Sequence, residues 1–588
     1  MTATVSDSFL PDQLARLFAR LDPEHGPALQ PLLQRLLAAV AGGHVCLAGL
    51  SGDDYARLRH SPLAGRAGNY TPLVLDEGGR LYLARHWQDE TQLVAALTRL
   101  ARDPQPLGGD IESVLDALFG PADAGDWQRL AARLATERRF MVISGGPGTG
   151  KTTTVVRLLA ALAALSPRPL VMAMAAPTGK AAARLTESVR AARDALPVAD
   201  AVRAQLPDKA QTLHRLIGLI PGTARPRQHA ANPLPLDVLV VDEASMVDLS
   251  LMAQTVAALP SHARLILLGD RDQLASVEAG AVLGDICSRQ AWRSDTAQRL
   301  AAAGVSLPGD IDDSAILADS VVVLQKSHRF GADSGIGRLA RAVNAAALDE
   351  VHALLAQPEL SDIQLQPALP DGAGLLAQRA GYWQALAQLD EADSDWAPLF
   401  AAFHRFMLLA AERHTVAAIN AQIETELEKL GRKAAGSDWY AGRPVMVTRN
   451  DYGIGLFNGD IGLTVAREGR LRVVFPTTDG GWREVAPARL PEHDTVYAMT
   501  VHKSQGSEFA SVWLALPAAP SAVLTRALVY TAITRARDMF VLAGNPAVLE
   551  AGVLNAPPRQ SGLAGRLWPQ PGAYGLLSAG AEAVAEGH

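Results

Sequence analysis

Gly145-Gly146-Pro147-Gly148-Thr149-Gly150-Lys151-Thr152-Thr153-Thr154 is the stretch on which the reading of this chain turns. It fits GxxxxGK(S/T), and it sits where that pattern has mechanical meaning. The run Phe140-Met141-Val142-Ile143-Ser144 before it predicts a buried strand. After it, Val155, Val156, Leu158, Leu159 and Leu162 recur at helical spacing. Glycines let backbone N–H groups turn inward on phosphates with no Cβ in the way, and the helix N-terminus adds its partial positive charge. The stretch therefore reads as a phosphate cradle for ATP. Residues 145–150 supply the backbone, Lys151 reaches the β/γ-phosphates, Thr152 ligates Mg²⁺, and Thr153 counts with them as nucleotide-binding. A chance glycine-rich turn would not carry the strand and the helix on its two sides.

Composition frames this site. With 588 residues, 48% hydrophobic and 20% charged, the chain is globular and long enough for several domains. A net charge of −7 and a pI near 6.1 do not decide for or against nucleic acid, because a basic channel can lie inside an acidic protein. Cys46 and Cys287 stand far apart without metal-ligand spacing, which suits a reducing compartment and gives no zinc or iron–sulfur site. Residues 1–10 lack a basic and an apolar region of signal-peptide type. The most apolar span, 154–176, is broken by Arg157 and by Pro167-Arg168-Pro169, so no membrane helix is expected. A cytoplasmic enzyme is the expectation.

Further strand-like runs follow the cradle. Residues 170–175 lead into Ala176-Pro177-Thr178-Gly179-Lys180, a polar and basic loop-to-helix junction suited to a phosphodiester backbone. Asp237-Val238-Leu239-Val240-Val241 ends in Asp242-Glu243. Two adjacent carboxylates at a buried strand end are costly without a cation, which points to Asp242 in the Mg²⁺ shell and Glu243 as base for the attacking water. The run 265–268 enters Gly269-Asp270-Arg271-Asp272-Gln273, and Gln273 stands where ligands of parallel sheets collect, in reach of a γ-phosphate. Upstream, Asp126-Trp127-Gln128 opens a helix, and the Gln128 amide is a candidate for the adenine edge. Four strands separated by helices predict a doubly wound parallel sheet over about 113–350.

The set GGPGTGKTTT, APTGKAAARL, VVDEASMVD and GDRDQLASVEAGAVLGD resembles the first motor domain of superfamily 1 helicases. Leu324-Gln325-Lys326-Ser327-His328-Arg329-Phe330, then the run 498–509, then Tyr530-Thr531-Ala532-Ile533-Thr534-Arg535-Ala536-Arg537 continue the pattern in order. Within that superfamily the chain is most similar to the RecD subunits of exodeoxyribonuclease V, the RecBCD complex, and the likeness extends to residues 442–446 and 455–462. The resemblance implies an α/β fold of two RecA-like motor domains. It implies that Arg329 and Arg535 are arginine fingers, that Glu508 touches the ribose, and that Pro177, Thr178, Lys180, Thr500, His502, Lys503 and Gln505 line the single-strand path. It also implies 5′-to-3′ travel on DNA, RecB-like and RecC-like partner subunits, a nuclease site in one of those partners, and a role in double-strand-break repair by recombination. His328, Lys326 and Arg537 read equally well as a solvated basic face.

The expected organisation is an N-terminal helical and mixed domain at 1–112 that docks a partner, a first motor domain at 113–350, and a second at 351–588. Short strands at 443–448, 462–466 and 470–475, with Asp479-Gly480-Gly481 as a turn, predict an SH3-like β-barrel inserted at about 430–492. A frayed tail is expected after Trp568. Other readings stay open at this point: a stand-alone 5′-to-3′ DNA helicase, a non-motor subunit clamped by ATP, and, as a further variant, an RNA helicase of the same superfamily.

Overall fold

The computed structural model describes residues 6–569 apart from 122–124, 221–222, 224, 303–304, 306, 332, 390–394, 452 and 478–479. Residues 1–5, Asp479 of the expected turn and the tail beyond residue 569 lie outside the described residues.

The first parallel sheet has six strands, in the order Val321–Leu324, Phe140–Gly145, Arg264–Gly269, Val238–Val241, Met172–Ala176 and Ala210–Thr212. Helices cover both faces, so the central strands are apolar at nearly every position rather than alternating. Phe140–Gly145, Val238–Val241 and Arg264–Gly269 are buried throughout. The register sets Ser144 beside Gly269 and Gly145 beside Leu324, so the carboxyl ends of these strands share one edge. The cradle, Asp242 and Asp270 all leave from that edge.

Two of the six strands were not expected. Ala210–Thr212 is a half-exposed outer strand with no apolar run to announce it. Val321–Leu324 is the opposite outer strand. The strand expected at 170–175 begins at Met172, because the Val171 amide instead donates to the Asp237 carboxylate and its side chain is exposed.

The second parallel sheet has five strands, in the order Ile363–Gln366, Ala536–Ala543, Phe509–Ala515, Phe406–Ala410 and Ala498–Thr500. Two such sheets, each with its own helices and core, make the two RecA-like units. The helix Gly335–Asn344 buries Ile336, Leu339 and Val343 in the second core, although the sequence reading placed residues 335–344 with the first unit. The chain thus crosses between units after Leu324, and the crossing carries Arg329.

Between the helix Arg413–Lys429 and the strand Ala498–Thr500 lies a five-stranded antiparallel sheet. Its order is Trp482–Val485, Arg470–Pro476, Ile461–Arg467, Pro444–Val447, His493–Thr495. Val445, Val447, Leu456, Val473, Phe475 and Val485 form its own small core.

At the N-terminal end, a four-stranded sheet orders Cys46–Leu47, Leu81–Leu83, Leu73–Leu75 and Ala64–Gly65. The helix Ala84–Arg102 that follows turns Leu93, Leu97 and Leu100 into the core of the first parallel sheet. The C-terminal segment returns to the same place. The Gln560 carbonyl accepts from the Val45 amide, Arg559 donates to the Glu278 and Gly280 carbonyls, and the Trp568 indole N–H donates to the Ile286 carbonyl.

Candidate functional site

The cradle takes its shape from two glycines in the left-handed region, Gly148 at φ +75° and Gly150 at φ +79°, which side chains rarely adopt. Space enforces the same choice: a Cβ on Gly148 would stand 2.2 Å from the Arg329 Cβ, and one on Gly150 would stand 2.5 Å from the Gln128 amide nitrogen. Thr149 ties the loop internally, its hydroxyl donating to the Gly146 carbonyl at 2.8 Å. Lys151 Nζ donates to the Gly145 and Gly146 carbonyls at 2.6 and 3.1 Å. Gly145 and Pro147 complete the loop, and Thr152 and Thr153 open the helix Lys151–Leu165, Thr152 half-buried and Thr153 exposed.

The acidic edge lies on the neighbouring strand. The Glu243 amide donates to Asp242 Oδ1 at 2.8 Å, and Glu243 itself holds φ +51°, a conformation costly for a residue with a Cβ. Burial, reinforced by the Glu243 carboxylate, pushes Asp242 up to about 6. The Ser245 hydroxyl next to it is buried and has no hydrogen-bond partner among the described residues. Left-handed glycines, a lysine bonded to loop carbonyls, an orphaned hydroxyl and a disfavoured carboxylate pair are the donor set that a phosphate chain and a hard divalent cation satisfy.

The crossing segment lies on the cradle from the other side. The His328 amide donates to the Gly148 carbonyl at 2.7 Å, and the Ser327 hydroxyl to the Pro147 carbonyl at 3.3 Å. Gln128, expected at an adenine edge, donates its amide to the Thr149 carbonyl at 2.9 Å and lies 3.4 Å from the His328 ring. His328 therefore borders the cleft while its side chain stays solvent-exposed, as the solvated-face reading has it. Arg329 pairs with Glu508 Oε1 at 2.5 Å, and its other terminal nitrogen is buried without a partner among the described residues. Glu508, read onto a ribose, here holds Arg329.

Arg535 comes from the second unit and is buried. It donates to Gln273 Oε1 at 3.0 Å and to the Ser507 carbonyl at 3.2 Å. Gln273 donates in turn to Asp270 at 3.0 Å, and the Tyr530 hydroxyl donates to the same Asp270 oxygen at 2.9 Å. The structure thus gathers Lys151, Asp242, Glu243, Gln273, Arg329 and Arg535 around one cleft.

The strand-path residues fall into two groups that meet. Pro177 is half-buried before the helix Gly179–Asp194, and Thr178 caps that helix by accepting from the Ala181 amide at 3.2 Å. Lys180 Nζ is buried with no hydrogen-bond partner among the described residues. Burial and the nearby Arg184 push it down to about 8, against the opposing pull of Asp460. From the second unit, Thr500 accepts from the Lys503 amide at 3.4 Å, and burial lowers His502 from the usual histidine value. Lys503 pairs with Asp494 at 3.0 Å, and the Gln505 amide donates to the Leu274 carbonyl at 3.0 Å. The two units meet beside these groups, where Arg184 of the helix Gly179–Asp194 donates to the Gly506 carbonyl at 2.5 Å.

Sequence comparison gives this cleft relatives. Residues 128–279 match the family model described as an AAA domain, and 495–543 match a UvrD-like helicase C-terminal domain. The chain is 40% identical over 528 residues to the RecBCD enzyme subunit RecD of Mycobacterium tuberculosis (strain CDC 1551 / Oshkosh), covering 88% of this chain and 84% of that one. The chain belongs to the RecD family. This RecD family member is also 30% identical to the ATP-dependent RecD2 DNA helicase of Deinococcus radiodurans, covering 79% of this chain and 55% of that protein. A Bacteroides Pif1 helicase crystallised with ADP-AlF3 and single-stranded DNA superposes with a TM-score of 0.38 at 16% identity, over 74% of this chain and 95% of that one.

Three cleft residues of this RecD chain escaped the sequence reading. Tyr530 and Asp270 lie inside motifs already quoted, but nothing in their spacing told which residues would face each other across two units. Arg184 was legible as the residue four after Lys180, hence on the same helix face. Among the described residues no helix is long and apolar enough to cross a membrane.

Proposed function

We propose that this chain is the ATP-dependent DNA helicase subunit of a RecBCD-type complex, a motor that travels 5′-to-3′ on single-stranded DNA while double-strand breaks are processed for homologous recombination. The observation that carries this reading is the meeting, over one phosphate cradle, of Lys151, Asp242 and Gln273 from the first unit with Arg535 from the second and Arg329 from the crossing. A clamp that only held nucleotide would need affinity, and no arginines aimed from a second body.

Each residue has a task. Residues 145–150 present backbone N–H groups to the phosphates, and Lys151 leaves its two carbonyls for the β/γ-phosphates. Mg²⁺, for which Thr152 and Asp242 are the proposed ligands, would neutralise phosphate charge when bound. Glu243 takes the proton of the attacking water. Arg329 and Arg535 place positive charge on the oxygens where negative charge builds in phosphoryl transfer, and one such arginine supplies about 10³ to 10⁵ in rate. Gln273, bonded to Arg535 on one side and to Asp270 on the other, registers whether the γ-phosphate is present. Because the arginines stand beyond the first unit, hydrolysis requires the two units to close, and loss of the γ-phosphate contacts lets them reopen. Pro177, Thr178 and Lys180 on one unit and Thr500, His502, Lys503 and Gln505 on the other alternate their hold on the strand.

The finer assignments rest on the family likeness. The antiparallel sheet at 444–495 is taken as an SH3-like barrel that guides the strand, and the nuclease of the complex is assigned to another subunit. The segment 1–112 is taken as the surface that docks RecB-like and RecC-like partners. ATP is the nucleotide, and the cytoplasm is the compartment.

The test is ATP hydrolysis by the purified chain, wild type against Lys151→Ala, with and without single-stranded DNA, together with unwinding of 5′-tailed and 3′-tailed duplexes. Hydrolysis stimulated by DNA, abolished by Lys151→Ala and coupled to unwinding of the 5′-tailed substrate alone is the expected result. Hydrolysis indifferent to DNA even with RecB and RecC partners present would favour the clamp.

A further inference from the structure

Arg184 lies on the helix Gly179–Asp194, one turn beyond Lys180, and reaches the opposite unit. Its Nη1 donates to the Gly506 carbonyl at 2.5 Å and its Nη2 lies 3.4 Å from Glu508 Oε1. That same carboxylate oxygen holds Arg329 Nη2 at 2.5 Å. One half-buried carboxylate is therefore shared by two guanidinium groups, one on the helix that opens the strand path and one over the cradle. Burial works against the charged form of Glu508, yet Arg184 and Arg329 outweigh it and hold the carboxyl below its ordinary range.

Building on the helicase reading, we propose that Arg184 is a positioning residue, the counter-ion that allows Glu508 to release Arg329 to the nucleotide. Charge compensation governs this transfer, because Glu508 is only partly solvated. When Arg329 moves from Glu508 to a phosphate oxygen, the Glu508 carboxylate loses its closest cation. A half-buried carboxylate left unpaired does not recover the solvation it gave up on folding, and that cost opposes the transfer. Arg184 is already in place to take over, with its second nitrogen fixed on the Gly506 carbonyl so that the guanidinium need not travel. The turn at 505–508 gives Arg184 its seat, since Gly506 holds φ +69° and offers its carbonyl to the guanidinium. Arg184 also shares its helix face with Lys180, so a strand phosphate arriving at Lys180 is felt by the group that compensates Glu508. The triad Arg184–Glu508–Arg329 thus joins the strand path to the cradle through three side chains.

The proposal distinguishes itself from a merely structural role by rescue. Arg184→Met keeps the apolar stem and removes the charge. In the full-length chain with saturating single-stranded DNA it should lower kcat for ATP about ten-fold with KM little changed, because the bound state survives and the transfer of Arg329 does not. Arg184→Lys, a point charge without the fork, should fall between. Adding Glu508→Gln to Arg184→Met should restore most of kcat, since a neutral amide has no charge to strand. A kcat unaffected by Arg184→Met overturns the proposal, and so does a double variant as slow as the single one. Wild-type protein assayed beside Lys151→Ala keeps this separate from the parent reading: if wild-type turnover ignores DNA and Lys151, the helicase assignment has failed; if it responds to both and the rescue is absent, only the role of Arg184 has.

Discussion

Arg535 and Gln273 join the two parallel sheets through a buried hydrogen bond, Nη2 donating to Oε1 at 3.0 Å. Gln273 continues to Asp270, and Asp270 returns to the second unit through Tyr530, so the bonding passes from unit to unit and back. A change at either end is transmitted by partners that have no water to fall back on.

Replacing Gln273 by Ala should therefore impair turnover rather than binding. Arg535 would lose its orienting acceptor, and with it goes the proposed contact of Gln273 to a γ-phosphate; the expected loss in kcat is about 10²-fold, the effect of removing one preorganised group. Titration with a fluorescent ADP should change by only a few-fold. A raised KM with kcat intact would mean that Gln273 contacts only the ground state.

Gly148 and Gly146 should differ sharply on substitution by Ala. At Gly148 the left-handed backbone costs about 1–2 kcal/mol for a residue with a Cβ, and the new methyl collides with the Arg329 Cβ and backbone. Gly146 carries no such φ, and its Cβ would meet only the Tyr530 hydroxyl at 3.1 Å. Thermal unfolding and ADP binding should show Gly148→Ala destabilised and nucleotide-blind, with Gly146→Ala near wild type in stability.

The pH dependence of strand binding should report Lys180. Burial holds its amine down to about 8, below the ordinary 10.5. The folded protein thus binds this proton less tightly than the unfolded chain does, so burying the charged amine destabilises the fold by a constant amount below pH 8, and that cost is relieved as pH rises from about 8 towards 10.5. Strand affinity moves the other way: between pH 7 and 9 the positive charge is lost, and single-stranded DNA should bind more weakly. Lys180→Arg keeps its charge across that window and should flatten the profile. A wild-type profile as flat as that of the variant would remove Lys180 from the path.

Glu90 and Arg566 offer a test of the returning C-terminal segment. Glu90 is fully buried, accepts from the Gly562 amide at 3.1 Å, and pairs with Arg566 at 3.4 Å. Arg566→Ala leaves that carboxylate without its cation and should cost about 3 kcal/mol, read as a lower unfolding midpoint in urea. Glu90→Gln combined with Arg566→Ala should recover much of the loss.

Much of the cleft was legible because its residues are close in sequence to the strands that carry them. The cradle 145–154, Asp242-Glu243 and Gln273 each follow an apolar strand run, and period and motif suffice to place them. Arg329 and Arg535 were reached only through resemblance, since nothing in their own spacing says that a distant arginine will face a phosphate. Gln128 and Glu508 were read toward ligands, and the fold also gives them protein partners: Gln128 bonds Thr149 within the first unit, and Glu508 meets Arg329 where the crossing segment approaches the second. The outer strand Ala210–Thr212 carried no signal, because this short, half-exposed strand buries too little to need apolar residues.

What the sequence alone determined is local: strand, glycine loop and helix at 140–165, the acidic pair at 242–243, and the motif stretches that follow them in order. Those features follow from side-chain volume, backbone freedom and charge within a few residues. Only the tertiary structure decided that Gly335–Asn344 packs with the second core, that residues 559–568 return to the first unit, and that Arg184, Glu508 and Arg329 meet. Such pairings join residues that can be hundreds of positions apart, and they are selected by the burial and charge compensation of the whole assembled chain, which no local pattern encodes.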